Sequence, residues 1–352
     1  MGMKLNKALE LVGLSKNHYY YNPKTGRPGR KPSTKVTLHQ SNGLRIVKSN
    51  DELMDQIVDI QQNPVLDYGY RAMTKALNLI GYVVNHKKVY RLMKAYHLLK
   101  EKPKSTARNY VKYRSVYPDH PLQYLEMDIK FQWVEQHQRF AFILTVIDCH
   151  TRYVLAWTVA YSIKQEQVKA IWDQIIQQFF QPNDLLKKQV HIELRNDNDS
   201  RFAAKNIQAY FKENHIDQVF THPYTPQENG HIESFHSILS RSLKHQCFKT
   251  ITDLEQHLNK FYHSYNYVRL HGSLDHLPPS LFWRLWNDNL IEIKKVKQHK
   301  TKFKLKIPHY ELSGKGYLRG VSCLPVGHPK EVYGAMTLQQ PSVQRSPSVV
   351  SC

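Results

Sequence analysis

The sequence has few cysteines, few acidic residues and no long hydrophobic run. Its four cysteines, Cys149, Cys247, Cys323 and Cys352, form no CxxC pair. This pattern argues against a disulfide framework or a cysteine-based zinc site, and it is typical of a reducing cytosol. No segment approaches the 18 apolar residues of a membrane-spanning helix, and residues 1–13 lack the apolar core of a signal peptide. We therefore expect a cytoplasmic protein that has no membrane partner.

The shortage of acids leaves a large positive charge, which is concentrated in the first third of the chain. The 352 residues contain 50 Lys and Arg against 29 Asp and Glu, a net charge of +21. Residues 1–115 hold 22 of these bases and 7 of the acids, so they carry +15 of that total. A densely anionic partner explains such an excess, and nucleic acid is the commonest one. A surface that only confers solubility would ordinarily mix both signs.

Residues 1–35 show a short helix-turn-helix pattern followed by a basic linker. Apolar residues recur at helical spacing over residues 4–12, Gly13 turns the chain, and Ser15 can cap a second helix. The proline, glycine and basic residues of segment 23–32 disfavour regular structure there. The basic residues of this linker are candidates for contact with a phosphate backbone: Arg27, Arg30 and Lys31.

A stronger helix-turn-helix candidate spans residues 50–104, which we predict to be an all-α DNA-binding region. Helical patterns begin near Asp51 and over residues 70–79, Gly81 turns the chain, and Asn85 caps a helix over residues 86–99. That last helix is predicted to turn Val89, Leu92, Met93 and Tyr96 inward and to leave four bases on its other faces: Lys87, Lys88, Arg91 and Lys94. It could enter a major groove, although a solvated basic helix is the alternative.

The pattern changes to α/β from residue 120 to residue 285. Three β-rich segments, at residues 125–133, 140–147 and 153–160, predict a meander. Strands at 190–194 and 216–220 then alternate with helices at 166–180, 203–214, 227–245 and 253–267, which predicts a mixed five-stranded sheet. Trp133 and Trp157 are expected in its core. Residues 286–340 form a basic extension, and residues 341–352 a disordered tail.

Three acids of this region stand where metal chemistry would need them. Asp128 lies inside the first strand, on the same face as Glu126. Asp197 directly follows the fourth strand, the position at which open α/β sheets place ligand groups. Glu233 lies in the first turns of the long helix. Two divalent cations about 3.5–4 Å apart require several oxygen ligands, and carboxylates on separate rigid elements supply them. The spacing of 35 residues between Asp197 and Glu233 is not evidence by itself, because 29 acids give many pairs at any chosen separation.

These acids and their surroundings resemble a known family. The segment that ends at Glu233 reads PYTPQENGHIE, and with Asp128 and the Asp-Asn turn at Asp197 it resembles the DDE core of retroviral-type integrases. The resemblance is nearest to bacterial insertion-sequence transposases with that core. Further family-like residues stand upstream, from Tyr68 to Leu99, and downstream: residues 261–266, Arg269, His271, Leu274 and Pro278.

The resemblance implies an RNase H-like fold for residues 120–285 and a polynucleotidyl transferase that holds two Mg²⁺ or Mn²⁺ ions. Asp128, Asp197 and Glu233 would be both its catalytic residues and its metal ligands. Its partner would be double-stranded DNA, the element's ends and the target, on which it acts as a homo-oligomer at the bacterial nucleoid, with or without a second DNA-binding protein of the element. His231 and Arg241 are further candidates for DNA contact.

Two positions depart from the family pattern, and they keep other functions open. Asp199 stands where the family usually has Gly, and Ser240 stands where a Lys or Arg commonly contacts DNA, with Arg241 rotated by about 100° on the helix. A catalytically decayed DNA-binding protein would tolerate both changes. A simple metal-dependent nuclease would share the carboxylates but would not need two helix-turn-helix units. Asp148 is expected to shape a turn.

Overall fold

A computed structural model describes residues 3–21, 32–40, 42–63, 66–100, 116–188, 190–222, 225–297, 300–312 and 317. The chain divides into two compact units, residues 1–35 and 36–352. In the first unit, helix α1 (Leu5–Leu11) and helix α2 (Lys16–Tyr19) flank Gly13, whose φ is +68°. The Ser15 hydroxyl accepts a hydrogen bond from the His18 N–H, so the predicted cap of α2 is present. Arg27, Arg30 and Lys31 lie outside the described residues.

The second unit begins with a small sheet and three helices. Two of these helices begin at side-chain caps. A capping box between Ser49 and Glu52 starts the first helix, and the Asn85 side chain caps the last. The elements in chain order are strands β1 (Lys35–His39) and β2 (Arg45–Ser49), helices α3 (Asn50–Gln61) and α4 (Tyr70–Leu79), strand β3 (Tyr82–Val83) and helix α5 (His86–Ala95). The sheet has the order β2-β1-β3. The predicted helix-turn-helix is confirmed, but describing the region as all-α omitted this sheet.

One glycine allows β3 to approach β1. Gly81 has a φ of +102°, and a Cβ atom there would stand 2.1 Å from the carbonyl oxygen of His39. The Gly81 carbonyl accepts a hydrogen bond from the His39 N–H at 2.9 Å. Both the positive φ and the close backbone contact exclude a side chain. The turn that the sequence predicts at Gly81 therefore also joins the helical pair to the sheet.

Segments from the far end of the chain complete the core of this helical region. Helix α11 (Pro279–Asn287) and strands β9 (Ile291–Lys297) and β10 (Lys300–Leu305) contribute Phe282, Ile291 and Leu305 to the cluster that holds α3, α4 and α5. The Tyr68 hydroxyl accepts a hydrogen bond from the Leu270 N–H at 2.9 Å. The described part of the basic extension thus packs on the helical region, and residues 318–352 lie outside the described part.

The α/β region contains a mixed five-stranded sheet, as the sequence predicts. The structure shows that its strand order is β6-β5-β4-β7-β8. The first three strands form an antiparallel meander, whereas β7 runs parallel to β4 and β8 runs parallel to β7. The strands are β4 (Tyr124–Val134), β5 (Arg139–Asp148), β6 (Val154–Ala160), β7 (Ile192–Asn196) and β8 (Ile216–Phe220).

Helices cover both faces of this sheet. One face packs on α6 (Gln165–Ile175), which continues as a π-helical turn to Phe180, and on α7 (Ser200–Ala203) and α8 (Lys205–Glu213). The other packs on α9 (Gly230–Leu243) and α10 (Ile251–Tyr267). Residues of α9 therefore meet the face of β4 that carries Asp128.

The hairpin between β4 and β5 extends beyond this helical cover. The Trp133 side chain was expected in the core, but it is 43% exposed and packs edge to face on Phe140, which is also exposed. Trp157 is nearer to its expected core position, since its partly buried ring stacks on the buried Tyr262 at a centroid distance of 4.5 Å. Among the described helices, none is long and apolar enough to cross a membrane.

Candidate active site

Asp128 occupies the centre of β4, at the point where α9 crosses the sheet. Its Oδ1 accepts a hydrogen bond from the Ile129 N–H at 2.7 Å. Its Oδ2 lies 3.3 Å from Nδ1 of His236, which is three residues beyond Glu233 on the same helix. Because residues three apart share a helix face, His236 and Glu233 both turn toward β4. Sequence reasoning missed His236, although this spacing is a signal for it.

Asp197 follows the last residue of β7, Asn196, beside the strand that carries Asp128. Partial burial raises the pKa of the Asp197 carboxyl, and the charges of Asp128 and Asp199 raise it further. The Asp199 N–H, which donates to Asp197 Oδ1 at 3.2 Å, opposes the shift. An acid whose pKa rises because of neighbouring acids lies in a region of concentrated negative charge.

Glu233 belongs to the first turn of α9 and experiences the same negative charge. Burial raises the pKa of its carboxyl, and the charges of Asp128 and Glu126 add to that effect. Asp128 therefore acts on both Asp197 and Glu233, and Asp197 is not among the causes of the Glu233 shift. The strand that carries Asp128 lies beside β7, which Asp197 follows, and contacts α9, which carries Glu233. Such a set of hard oxygen donors fits divalent cations of the Mg²⁺ type.

A second cluster of possible metal donors includes residues that lie close to these acids in the chain. Within the described residues, donor atoms of Glu126, Cys149 and His231 all lie within 4.8 Å of one another, and no other three such side chains come this close. Glu126 is fully buried on β4. Its Oε1 lies 2.7 Å from Nδ1 of His231, and its Oε2 accepts a hydrogen bond from the Ile232 N–H at 2.7 Å. Burial raises the pKa of Glu126 to about 7, although the Ile232 N–H opposes this.

The two departures from the family pattern have local structural roles. Asp199 caps α7 by accepting from the Arg201 N–H at 2.9 Å, and its carboxylate pairs with the Arg201 guanidinium. That pair lowers the pKa of Asp199. The Ser240 hydroxyl donates to the His236 carbonyl at 2.6 Å, inside the helix. Arg241 is 57% exposed, and its Nη1 lies 3.5 Å from Oδ2 of Asp67.

The bases predicted for DNA contact differ in their surroundings. On α5, Lys87, Arg91 and Lys94 are exposed, while Lys88 is partly buried, and this burial together with the Arg91 charge lowers its pKa. Val89, Leu92 and Met93 on the opposite face pack in the core, as predicted. The prediction for Tyr96 is wrong, since α5 ends at Ala95 and the Tyr96 side chain is 53% exposed. His231 directs Nδ1 at buried Glu126, so this atom makes an internal contact and is not turned to solvent.

Asp148 takes the structural role that the sequence predicts. It is fully buried, and its two carboxylate oxygens accept hydrogen bonds from the Leu122 N–H at 3.0 Å and the Thr151 N–H at 2.8 Å. These bonds hold the turn between β5 and β6. Asp148 therefore offers no carboxylate oxygen toward the three candidate acids.

Comparison with known families agrees with this architecture. The integrase core domain family matches residues 118–226, and a second integrase core family matches residues 214–279. An HTH-like domain family matches residues 48–105. The class that the motifs indicated is confirmed, since the chain carries an integrase core preceded by an HTH-like domain.

The curated relatives that the chain resembles are proteins of bacterial insertion elements. The chain is 25% identical over 217 residues to an uncharacterized 39.2 kDa protein of insertion element IS476 from Xanthomonas euvesicatoria, a match covering 61% of the chain and 60% of that protein. It is 26% identical over 228 residues to the putative transposase InsK of IS150 from Escherichia coli K12, covering 60% of the chain and 76% of InsK. The chain is thus similar to proteins of bacterial insertion elements, and it spans about three fifths of the length of the first of them.

Solved structures with distant similarity have TM-scores of 0.33 to 0.39. They include a simian T-cell lymphotropic virus intasome, at 13% identity, TM-score 0.39 and coverage of 69% of this chain and 80% of that one. The HTLV-2 integrase catalytic core with magnesium has 14% identity, TM-score 0.33 and coverage of 46% and 94%. The Mos1 mariner transposase catalytic domain has 13% identity, TM-score 0.35 and coverage of 46% and 74%.

Proposed function

We propose that the chain is a DNA transposase that cuts the ends of a mobile element and joins them to target DNA. One observation supports this most directly: Asp128 interacts electrostatically with both Asp197 and Glu233, acids that come from separate elements of a rigid sheet domain. Acids clustered in this way would repel one another, and cations held among them would remove that repulsion.

Asp128, Asp197 and Glu233 would hold two divalent cations, Mg²⁺ or Mn²⁺. When bound, such ions activate the attacking oxygen and stabilise the leaving oxygen of an in-line displacement. The chain's own contribution is positioning. His236 lies against Asp128 Oδ2 and orients that carboxylate, while the hydrogen bond from the Asp199 N–H fixes Asp197.

The proposed reaction consists of two displacements at phosphorus. In the first, water attacks the phosphodiester at the element's end, and the bond to the 3′-oxygen breaks, which leaves a 3′-OH. In the second, this 3′-OH attacks a phosphodiester of the target. A new P–O bond replaces the one that breaks, and the proton of the 3′-OH passes to solvent while the leaving oxygen takes one up. Neither step requires ATP or a covalent bond to protein.

DNA binding would come from the helical region. The exposed bases Lys87, Arg91 and Lys94 on α5 fit a helix that enters the major groove, and Lys88 supports them from a partly buried position. Both element ends have to meet, so we propose a homo-oligomer on DNA, at the bacterial nucleoid. A second DNA-binding protein of the same element could assist. The linker bases Arg27, Arg30 and Lys31, and Arg241, would contact the phosphate backbone.

A strand-transfer assay with a labelled duplex and Mn²⁺ tests the proposal. The wild-type chain should yield joined products, and Glu233→Gln should abolish joining. DNA affinity should stay within about threefold of wild type, because Glu233 lies on α9 and not on α5, the helix proposed to bind DNA. Nicking without joining would indicate the metal-dependent nuclease instead. DNA binding with neither product would indicate a decayed enzyme. Equal loss of binding and joining in the variant would contradict a metal-binding role for Glu233.

A further inference from the structure

A single buried carboxylate connects the strand that carries Asp128 to the helix that carries Glu233. Glu126 lies on β4, two residues before Asp128 and on the same face of the strand. Its two oxygens contact residues 231 and 232, which directly precede Glu233. The three residues of the contact are therefore each within two positions of a proposed metal ligand.

The contact uses groups that the helix leaves unpaired. Helix α9 begins at Gly230, so the Ile232 N–H is among the first N–H groups, which have no partner within the helix. Glu126 Oε2 accepts from it at 2.7 Å. A carboxylate at this end also complements the positive end of the helix dipole. Glu126 Oε1 adds a second bond at 2.7 Å to His231 Nδ1, and two bonds fix the direction of the helix as well as its distance.

Burial makes this contact costly, which argues for a role beyond packing. Glu126 is fully buried. An isolated carboxyl group at such a position destabilises the fold unless its bonds compensate. An apolar side chain would fill the same space without that cost. The carboxyl group supplies what an apolar side chain lacks, which is a directed attachment between β4 and α9.

Glu126 and His231 also form a cluster with Cys149, but these three side chains do not have the spacing of a metal centre. Glu126, Cys149 and His231 offer donor atoms within 4.8 Å of one another. Tetrahedral ligands with bonds of about 2.1 Å stand roughly 3.4 Å apart. The 2.7 Å between Glu126 Oε1 and His231 Nδ1 is instead a hydrogen-bond distance. The cluster is therefore a hydrogen-bonded attachment.

We propose that Glu126 is a positioning residue that sets the distance between Asp128 and Glu233 by binding the first turn of α9. The proposal rests on the proposed function, because it assigns Glu126 a role in the site that those two acids form. Loss of the Glu126 side chain frees the start of α9, so Glu233 no longer stays in register with Asp128 and the site binds cations more weakly.

Binding of Mn²⁺ to the full chain, followed by electron paramagnetic resonance, tests the proposal without requiring catalysis. Glu126→Ala should weaken Mn²⁺ binding about 10- to 100-fold, the range seen when groups that orient metal ligands are removed. Glu126→Gln should stay within about threefold of wild type, because its amide oxygen accepts from Ile232 N–H and its NH₂ group donates to the other tautomer of His231.

Asp148→Asn is the matched control, since Asp148 is another fully buried acid of the same sheet, and its carboxylate accepts hydrogen bonds from Leu122 and Thr151 rather than from the start of α9. It should lower the unfolding temperature and leave Mn²⁺ affinity unchanged. Wild-type affinity in Glu126→Ala, or equal weakening in all three variants, would overturn the proposal. Zn²⁺ binding that requires Cys149 would also overturn it. Failure of wild type to join DNA despite normal Mn²⁺ binding would contradict the proposed function alone.

Discussion

Arg201 pairs with the carboxylate of Asp199, two residues before it, at the start of α7. The Arg201 Nε–H donates to Asp199 Oδ1 at 2.8 Å, and both side chains are less than a quarter exposed. The extra acid beside Asp197 is therefore compensated by a cation on the same turn. A departure from the family pattern that introduces negative charge thus leaves the charge of the site nearly unchanged.

This pair predicts a rescue experiment. Arg201→Ala leaves the Asp199 charge uncompensated beside Asp197, so we expect joining to fall about tenfold, a change of about 1.4 kcal/mol in the barrier. Asp199→Ala introduced into the same chain removes the excess charge and should restore most of the activity. The measurement is the rate of strand transfer at fixed Mn²⁺. A double variant as slow as Arg201→Ala alone would refute the compensation.

Asn266 provides a prediction about stability. Its side-chain oxygen accepts from the Val154 N–H and its NH₂ group donates to the Val154 carbonyl, each at 2.9 Å, in a buried position at the start of β6. Asn266→Ala leaves two buried backbone groups unpaired and should cost about 2–4 kcal/mol of unfolding free energy. Asn266→Asp retains only the acceptor and should also destabilise, because the Val154 carbonyl loses its donor. Denaturant unfolding curves that match wild type would contradict this role.

Histidine burial predicts a stability that falls in acid. The His271 ring is partly buried, with its Nε2 atom out of contact with solvent, and this burial, followed by the charges of Arg269 and Arg152, lowers its pKa to about 3. The folded state therefore binds this proton less readily than the unfolded state, whose histidine pKa is about 6.5. The contribution is fully present above about pH 6.5 and falls by up to about 1.4 kcal/mol per pH unit until about pH 3.

Urea unfolding between pH 7 and 5 measures this effect. His309, whose pKa burial lowers to about 4, acts in the same direction, whereas Glu126, whose pKa burial raises to about 7, acts in the opposite direction, so the comparison with a His271 variant isolates the His271 contribution. His271→Gln should reduce the slope by about one proton because it removes one titrating site. An unchanged slope in this variant would show that His271 is not buried as a neutral ring.

The basic face of α5 predicts how DNA binding depends on salt. Each phosphate neutralised contributes about 0.9 to the slope of log K against log salt concentration, so Lys87→Ala with Arg91→Ala should flatten that slope by about two. Lys187→Ala is the control, since Lys187 is 87% exposed beside Asp184, in the connection after α6. Fluorescence anisotropy over a salt series measures both. Equal slopes in the two variants would remove α5 from the interface.

Local patterns in the sequence predicted the five-stranded sheet well, because its first three strands are long and apolar and its last two alternate with amphipathic helices. They missed β1, β2 and β3, which are short and polar and exist only because Gly81 and the helices bring them together. They also placed Trp133 in the core, since alternation along a strand does not reveal where the covering helices end.

The candidate site divides in the same way. Asp128, Asp197 and Glu233 stand at positions that a motif defines, so the sequence could nominate them. Glu126 stood on the predicted face, but its burial and its contact with α9 depend on a helix that begins over a hundred residues later. Long-range contacts of this kind also place β9 and β10 on the helical region, and no local pattern encodes them.

The proposed role of Asp128 as a metal ligand gives the most direct test of the central claim. Titration of Mn²⁺ into the full chain, with free Mn²⁺ quantified by electron paramagnetic resonance, should show two bound ions per chain, as two-metal sites of this kind require. Asp128→Asn should abolish binding of both ions, whereas Asp197→Asn and Glu233→Gln should each retain one, bound more weakly. Wild-type stoichiometry in Asp128→Asn would contradict the account.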